Sequence, residues 1–186
     1  MRVIDAEHLS LEPQTVVHAD GMFALLSDPA IYEFENEPPP SLEWLSTRFA
    51  KLESRHSADG SQQWLNWVVR LPTSALAGYV QATIEHEGQA SIAYVFSSAY
   101  WGRGLAREAV AAMIAELAAN YGVRSVIAVL KRANFRSSRL LERLGFARGS
   151  PEQHAAHHVE ADEWLMVLPI DDRPGVDPER RHSFVI

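Results

Sequence analysis

A segment in the middle of the chain, YVFSSAYWGRGLAR at 94–107, constrains the fold more than any other part of the sequence. A strand pattern leads into a turn with two glycines, Gly102 and Gly104, and a long helical pattern follows directly. The first N–H groups of a helix lack partners and lie at its positive end, so they favour an anion such as a pyrophosphate. Glycines before a helix also occur for geometric reasons alone, so this signal needs support elsewhere.

Two other nucleotide motifs do not match this segment. It lacks the GKS or GKT ending of a P-loop. It also lacks the three-glycine dinucleotide fingerprint with an acidic residue about 20 positions later. The segment therefore does not predict either of these nucleotide-binding folds.

The composition narrows the class of protein. The 186 residues fit one ordinary domain, and no apolar run is long enough to cross a bilayer. The first ten residues have mixed polarity without an apolar centre, so we expect no signal peptide and a cytoplasmic location. Cysteine is absent, which excludes disulfides, cysteine-ligated metal sites and a thiol nucleophile.

The charge pattern argues against nucleic acid as a partner. The formal net charge is −7, and basic residues form only short pairs such as Lys131-Arg132. An acidic surface tolerates a cationic amine substrate, although mild acidity also serves solubility alone. We expect neither nucleic acid nor a membrane as partner, and a monomer or homodimer.

Helical patterns dominate the N-terminal third, and strand patterns follow. Asp20 is placed to cap a short helix that ends near Pro29, and Ser41 is placed to cap a second helix. Three strand patterns separated by turn signals predict an antiparallel meander, at 64–71, 75–85 and 89–97. The third is apolar on both faces, which is typical of a central strand.

The C-terminal half alternates helices and strands. Helices are predicted at 103–120 and 134–144, the second ended by Gly145, with a buried parallel strand at 123–130 between them. Short strands are expected at 146–149 and 163–168. We expect one domain over residues 1–170 and a C-terminal tail, 171–186, outside the core.

The sequence WGRGLA at 101–106 resembles the acetyl-coenzyme A motif of the GNAT superfamily, Q/R-x-x-G-x-G/A. Gly104 and Ala106 match its fourth and sixth positions, whereas Trp101 replaces the first and is expected to anchor the turn. The string YWGRGLAREAV is similar to the Rim-type branch, which acetylates the α-amino group of ribosomal proteins. LLSDPAIYEF, PPPSLEWLSTRF and NFRSSRLLERLGF resemble further segments of that branch in the same order.

This resemblance implies an α/β (α+β) GNAT fold, a mixed and mostly antiparallel sheet with splayed central parallel strands and about four flanking helices. It implies acetyl-coenzyme A as co-substrate and no metal. The backbone of the splayed strand would pair with pantetheine, and the glycine turn would bind the pyrophosphate. Carried over by position, the cofactor-binding residues are Tyr94, Val95, Phe96, Gly102, Arg103, Gly104, Leu105, Ala106, Arg107 and Asn134.

Several of these residues have an ordinary structural interpretation as well. The side chains of the strand residues fit an ordinary core, and either arginine is also compatible with a solvated surface. An arginine on the first turn of a helix opposes the dipole, which favours an anionic ligand. Asn134 is placed both to cap the following helix and to bond pantetheine.

The acid that protonates the leaving thiolate is less clear. Many family members carry a tyrosine on the helix after Asn134, but Leu140 and Leu141 stand in that neighbourhood here. The N-x-x-S pattern of the Rim-type branch gives this role, or that of orienting the sulfur, to Ser137, with Ser138 as the alternative. A serine at a helix start also has a purely structural interpretation.

No residue stands out as the general base that deprotonates the amine. The candidates are Glu85, His86, Glu33, Glu35, His154, His157, His158 and Glu160, and a water chain is an alternative. The sequence HAAHHVE would place three histidines on one helix face, as in some metal sites, but the family has a loop and a strand in this region.

Two functions remain open at this level. The first is an N-acetyltransferase that moves an acetyl group from acetyl-coenzyme A to a primary amine, either a protein N-terminus or a small molecule. The second is a module that binds acetyl-coenzyme A with no or vestigial turnover. In this fold the acceptor pocket is built by the N-terminal helices and the loop before the last strand, which vary among members.

Overall fold

The computed structural model describes residues 1–34, 36–85 and 88–170. Within these residues one mixed sheet contains eight strands: β1 (Ile4–Asp5), β2 (Ser10–Pro13), β3 (Gln63–Arg70), β4 (Leu76–Ile84), β5 (Gln89–Phe96), β6 (Ser125–Lys131), β7 (Ala147–Arg148) and β8 (Glu163–Pro169). Their order across the sheet is β1-β2-β3-β4-β5-β6-β8-β7. The predicted meander of β3, β4 and β5 is antiparallel, as expected.

Five α-helices flank the sheet in the described chain: α1 (Ala19–Leu26), α2 (Leu42–Leu52), α3 (Leu105–Tyr121), α4 (Phe135–Arg143) and α5 (Pro151–Ala156). The side chain of Ser41 accepts the N–H of Trp44 at 3.1 Å, which confirms the predicted cap of α2. The cap predicted for α1 is wrong. A 3₁₀ turn runs directly into α1, so His18 is the cap residue and Asp20 lies in the first turn.

The two faces of the sheet have different covers. α3 and α4 pack on one face, where the core includes Trp67, Val110, Met113 and Leu141. α1 and α2 pack on the other face over a smaller cluster that includes Met22, Phe49 and Val68. Alternation along β5 sends Tyr94 and Phe96 towards the α3 and α4 face and Val95 towards the α1 and α2 face.

β5 and β6 form the parallel pair at the centre of the sheet, and they separate along their length. Residues 89–91 pair with residues 125–127, and no pair follows among the described residues. β5 nevertheless continues to Phe96 against β4, and β6 continues to Lys131 against β8. The expected splay of the central strands is therefore confirmed, and it opens a gap between β5 and β6.

Two regions differ from the sequence-based prediction. β1 and β2 lie in the third of the chain that has helical patterns; they are too short for their alternation to be visible. Residues 151–156 form α5 rather than a loop or strand, because Ser150 and Gln153 form a capping box and Pro151 starts the helix. The C-terminal tail, 171–186, lies outside the described residues.

None of the helices in the described ranges combines the length and the apolarity that a bilayer span requires.

Candidate cofactor and acetyl-transfer site

The gap between β5 and β6 exposes backbone groups of β5. Ser97 donates its backbone N–H to the carbonyl oxygen of Ala77 at 3.0 Å, on the β4 side. Successive residues of a strand direct their peptide groups to alternate sides, so Val95 faces β4, whereas Tyr94 and Phe96 face the gap. Of the three strand residues expected to meet pantetheine, Tyr94 and Phe96 therefore present their backbone to the gap and Val95 does not.

The turn after β5 presents a run of unpaired backbone donors. α3 begins at Leu105, and its first backbone bond from the turn joins Glu108 N to Gly104 O. Within the described residues, the N–H groups of 102–107 form no hydrogen bond. These donors lie at the positive end of a 17-residue helix, which is a suitable site for a pyrophosphate.

Both glycines of the turn have backbone conformations that side chains disfavour. Gly102 has a φ angle of 75° and Gly104 one of 81°. A Cβ atom built on either glycine would meet no atom within 4 Å, so the space beside the turn is open. The turn is thus preformed and accessible to a ligand.

Aromatic and basic side chains surround the turn. Trp101 donates its indole N–H to Phe96 O at 2.9 Å, which closes the turn onto the end of β5. The guanidinium of Arg103 stacks over the ring of Tyr100 at 5.5 Å. Arg107 is exposed on the first turn of α3. Both arginines are accessible to an anion at the turn, and Leu105 and Ala106 pack against the core beneath it.

Asn134 caps α4, on the far side of the gap. Its side-chain oxygen accepts the backbone N–H of Ser137 at 3.1 Å. The structural interpretation of this asparagine is therefore confirmed, while its amide N–H₂ group stays available as a donor. Ser138 is buried, and its hydroxyl donates to Glu142 at 3.2 Å within α4, away from any role at the gap.

A hydrogen bond joins the two sides of the gap. The phenol oxygen of Tyr94 on β5 lies 2.6 Å from Ser137 Oγ on α4. Burial raises the pKa of Tyr94 to about 12, so its phenol stays protonated at neutral pH. The side chain of Tyr94, expected to be ordinary core, instead contacts the candidate acid. Its position on an inward face was a signal, because a buried tyrosine hydroxyl usually finds a partner.

The segment that follows α1 contacts both α4 and the chain just before the glycine turn. Arg136, next to Ser137 in α4, forms an ion pair with Glu33 at 2.5 Å and stacks over Trp101 at 4.2 Å. Nearby, Ser98 Oγ donates to Asp28 Oδ2 at 2.5 Å. The segment after α1 is thus fastened beside the glycine turn.

The structure does not favour any of the described candidates for a general base. Glu33 is engaged by Arg136, and Glu85 lies at the opposite end of β5 from the turn, where it accepts from Gln62. His154 has both ring nitrogens in hydrogen bonds, to Ser150 O at 2.9 Å and from Leu165 N at 3.1 Å. His86 and Glu35 lie outside the described residues.

The remaining candidates lie beyond the end of α5. His158 has a φ angle of 52° and is exposed, and His157 and Glu160 are near it in the same connection. No three His, Asp or Glu side chains in the described ranges are grouped closely enough to hold a metal ion.

Comparison with known families identifies the chain. The model of the acetyltransferase (GNAT) domain matches residues 8–147, which is more than half of the 186 residues. A comparison with curated protein sequences gave no match.

Solved structures share the fold. The ribosomal-protein-S5-alanine acetyltransferase from Vibrio fischeri has a TM-score of 0.76 at 18% identity, over 91% of this chain and 97% of that chain. RimL, a ribosomal L7/L12 α-N-protein acetyltransferase in complex with coenzyme A, has a TM-score of 0.75 at 16% identity, over 91% of this chain and 98% of that chain. The spermidine N-acetyltransferase from Vibrio cholerae, in complex with coenzyme A and spermine, has a TM-score of 0.70 at 16% identity, over 88% of this chain and 96% of that chain. With the domain match, the gap and the glycine turn together, the chain belongs to the acetyltransferase (GNAT) family and is an acyltransferase that uses acetyl-coenzyme A.

Proposed function

We propose that this chain transfers the acetyl group of acetyl-coenzyme A to a primary amine of a protein N-terminus or a small molecule, at the gap between β5 and β6. The observation that carries the proposal is the combination of this gap with the unpaired N–H groups of 102–107. Among the structural neighbours, one acts on ribosomal L7/L12 and another on spermidine, so both kinds of acceptor occur on this fold.

The cofactor-binding part of the proposal assigns roles to backbone and charge. N–H groups of the turn from Gly102 to Arg107 would hold the pyrophosphate, with Arg103 and Arg107 adding positive charge. The peptide groups of Tyr94 and the N–H of Phe96 would pair with pantetheine and polarise the thioester carbonyl, since Phe96 O already accepts from Trp101. The amide N–H₂ of Asn134 would donate from the α4 side.

The proton-transfer part of the proposal rests on Ser137. Acetyl-coenzyme A supplies a thioester whose sulfur leaves as the amine attacks, and this sulfur needs a proton. Tyr94 Oη and Ser137 Oγ lie 2.6 Å apart, and we assign the donor role to Tyr94 because a phenol is the more acidic hydroxyl, which leaves the serine hydrogen free to point into the gap. Ser137 then donates to the sulfur or orients it, and water takes the proton of the amine.

Replacement of Gly104 by valine tests the cofactor site. The φ angle of 81° and the open space beside the turn mean that a valine would strain the turn and fill the space of the ligand. We expect acetyl-coenzyme A affinity, measured by calorimetry, to fall at least about tenfold, since one bond to a charged group is worth about 1.5–3 kcal/mol.

Gly122→Val is the matched control. Gly122 ends the same helix α3 with a φ angle of 65° and equally open space, far from the turn. Both variants should lose similar stability, but only Gly104→Val should lose affinity. Unchanged affinity in folded Gly104→Val protein would refute the assignment of the turn.

Turnover separates the enzyme from a binding module. Release of free coenzyme A in the presence of an amine panel, with peptides and polyamines, is the expected result. Binding of acetyl-coenzyme A without release by any amine would support the module instead. A cytoplasmic location, a monomeric or homodimeric state and the domain limits of 1–170 stay predictions.

A further inference from the structure

A polar cleft of about 210 Å³ lies on the α1 and α2 face of the sheet. α2 forms one wall of the cleft, and its floor is made by Gln14, directly after β2, and by residues of β3 and β4. The floor residues Tyr79 and Gln81 stand in register with Val95 and Ala93 of β5. Neighbouring strands are about 4.8 Å apart, so the cleft is one strand away from the gap.

The floor of the cleft holds polar side chains without protein partners. Gln14 and Asn66 are only 3% and 5% exposed, and Gln14 Nε2 is fully buried without an acceptor. Within the described part of the chain, the side chains of Asn66, Gln81 and Tyr79 also form no hydrogen bond, but their polar atoms face the open cleft rather than being fully buried as Gln14 Nε2 is. Buried polar groups are nearly always paired, and leaving one unpaired costs about 1–3 kcal/mol.

One buried unpaired amide, beside further amide and hydroxyl groups that face the same cleft, indicates a ligand or bound water. The cleft holds about seven waters by volume, and it is smaller than the pockets of about 300–1,000 Å³ that enclose drug-sized ligands. It therefore fits the part of a substrate that lies next to its reacting amine.

The chemistry of the lining separates two classes of amine. Amide side chains both donate and accept, which suits a peptide or carboxamide group. A polyamine offers only cationic donors and needs carboxylates, but Glu37 is the sole carboxylate among the described residues lining the cleft. Arg48, stacked over Trp44 at 5.6 Å, adds a donor rather than an acceptor.

We infer that this cleft binds the amide group next to the acceptor amine, so that the preferred substrate is an amine followed by a peptide or carboxamide unit and not a polyamine. The inference rests on the proposed acetyl transfer for the identity of the ligand as an acceptor. Gln14, Asn66 and Gln81 are then the specificity-determining residues.

Two acceptors of similar length test the inference in steady-state acetyl transfer, trialanine amide and a linear diamine. For the wild-type protein we expect kcat/KM for trialanine amide to exceed that for the diamine at least about tenfold, because a site built to bond polar groups rejects analogues lacking them. Asn66→Leu and Gln14→Met remove the amides with little change in volume. Each should raise KM for trialanine amide about tenfold, leave the diamine unaffected and leave acetyl-coenzyme A affinity unchanged.

Thr83→Val is the matched control. Thr83 lies on the same strand and face as Gln81, two residues further along, and it does not line the cleft. Its KM for trialanine amide should equal that of the wild type. A preference for the diamine, or an unchanged KM in Asn66→Leu with a raised melting temperature, would overturn the inference and leave the cleft as a hydrated packing defect.

Calorimetry of trialanine amide in the presence of coenzyme A keeps this test separate from the proposed function. If the wild type turns over no amine, the proposed function fails, but binding that is lost in Asn66→Leu and kept in Thr83→Val still supports the cleft. Absence of binding to the wild type, or equal binding to Asn66→Leu, counts against it.

Discussion

The hydroxyl group of Tyr94 contacts the hydroxyl group of Ser137 across the gap, so a single oxygen atom of Tyr94 links β5 to the candidate acid. The distance of 2.6 Å is short for two hydroxyls, and the phenol is the stronger donor of the two. Tyr94 therefore acts through Ser137 as a positioning residue, whereas Ser137 would touch the sulfur.

Removal of the phenol hydroxyl tests this arrangement. Tyr94→Phe should lower kcat about three- to tenfold, the value of one hydrogen bond, with unchanged acetyl-coenzyme A affinity. Ser137→Ala should lower kcat about tenfold or more, near or below the lower end of general acid catalysis. The double variant should be no slower than Ser137→Ala alone. If Tyr94→Phe costs as much without Ser137 as with it, the phenol acts elsewhere.

The pH dependence follows from the pKa of Tyr94. Burial raises this pKa to about 12, and a raised pKa favours the neutral phenol. The ratio of wild-type to Tyr94→Phe kcat should therefore stay constant from about pH 7 to about pH 10. The stabilising effect of the neutral phenol is complete below the ordinary tyrosine pKa of 10.0 and is lost as the pH rises through the raised pKa of about 12. A ratio that changes below pH 10 would show an ordinary phenol.

The sequence predicts some of these residues and not others for physical reasons. Gly102, Gly104 and Asn134 occupy positions where local backbone geometry dictates the residue, so a motif identifies them. The partnership of Tyr94 with Ser137 joins residues 43 positions apart, and no local pattern reports it. The assignment of Ser137 to the acid role stays a prediction.

At the scale of elements, Gly78 sets how closely β4 and β5 approach beside the site. A Cβ atom built on it would lie 2.1 Å from the carbonyl oxygen of Val95, which is backbone and unable to move aside cheaply. The position of β5, which lines the gap, thus depends on the absence of a side chain at Gly78 in the neighbouring strand β4.

Gly78→Ala should displace the end of β5 and lower both stability and kcat. Gly21→Ala is the control with the same chemical change, because Gly21 lies inside α1 and its Cβ would meet only the flexible end of Leu76 at 3.0 Å. That variant should gain helix propensity of up to about 1 kcal/mol. Thermal unfolding and kcat should be measured for both variants. Equal melting temperatures and equal kcat values in Gly78→Ala and Gly21→Ala would contradict the claim that Gly78 is needed for the close approach of β4 and β5.

Long elements follow from sequence periodicity, and short ones do not. α3 and the meander of β3, β4 and β5 repeat their patterns often enough to be read, whereas β1 has only two residues and β2 four. The position of β2 depends on its pairing with β3, more than 50 residues later, and β1 in turn pairs with β2 at the edge of the sheet; periodicity does not encode this long-range pairing.

At the scale of the molecule, hydrogen bonds and an ion pair join Arg2, next to the N-terminus, to the helix α3. Arg2 donates from Nε and Nη2 to Glu116 Oε2 at 3.0 and 2.7 Å, and Asn120 donates to the same oxygen at 2.9 Å. The side chain of Glu116 is 3% exposed, and Trp67 donates its indole N–H to Arg2 O at 3.1 Å. The helix α3, which follows the glycine turn, is thus linked to the segment just before β1, the strand at one edge of the sheet.

The side chain of Arg2 is 67% exposed and only the carboxylate of Glu116 is buried, so loss of the Arg2 side chain should leave that carboxylate with Asn120 as its remaining donor and without a cation. An unpaired buried carboxylate destabilises a fold more than the absence of the whole pair does. Arg2→Leu should therefore lower the melting temperature, and adding Glu116→Gln should recover most of the loss because the neutral amide needs no counter-ion. Arg107→Leu is the control on the same helix, since this exposed arginine forms no ion pair within the described ranges, and it should leave the melting temperature unchanged. A double variant as unstable as Arg2→Leu would show that the side chain of Arg2 acts through its packing rather than through charge, because the backbone carbonyl that accepts from Trp67 is kept in both variants.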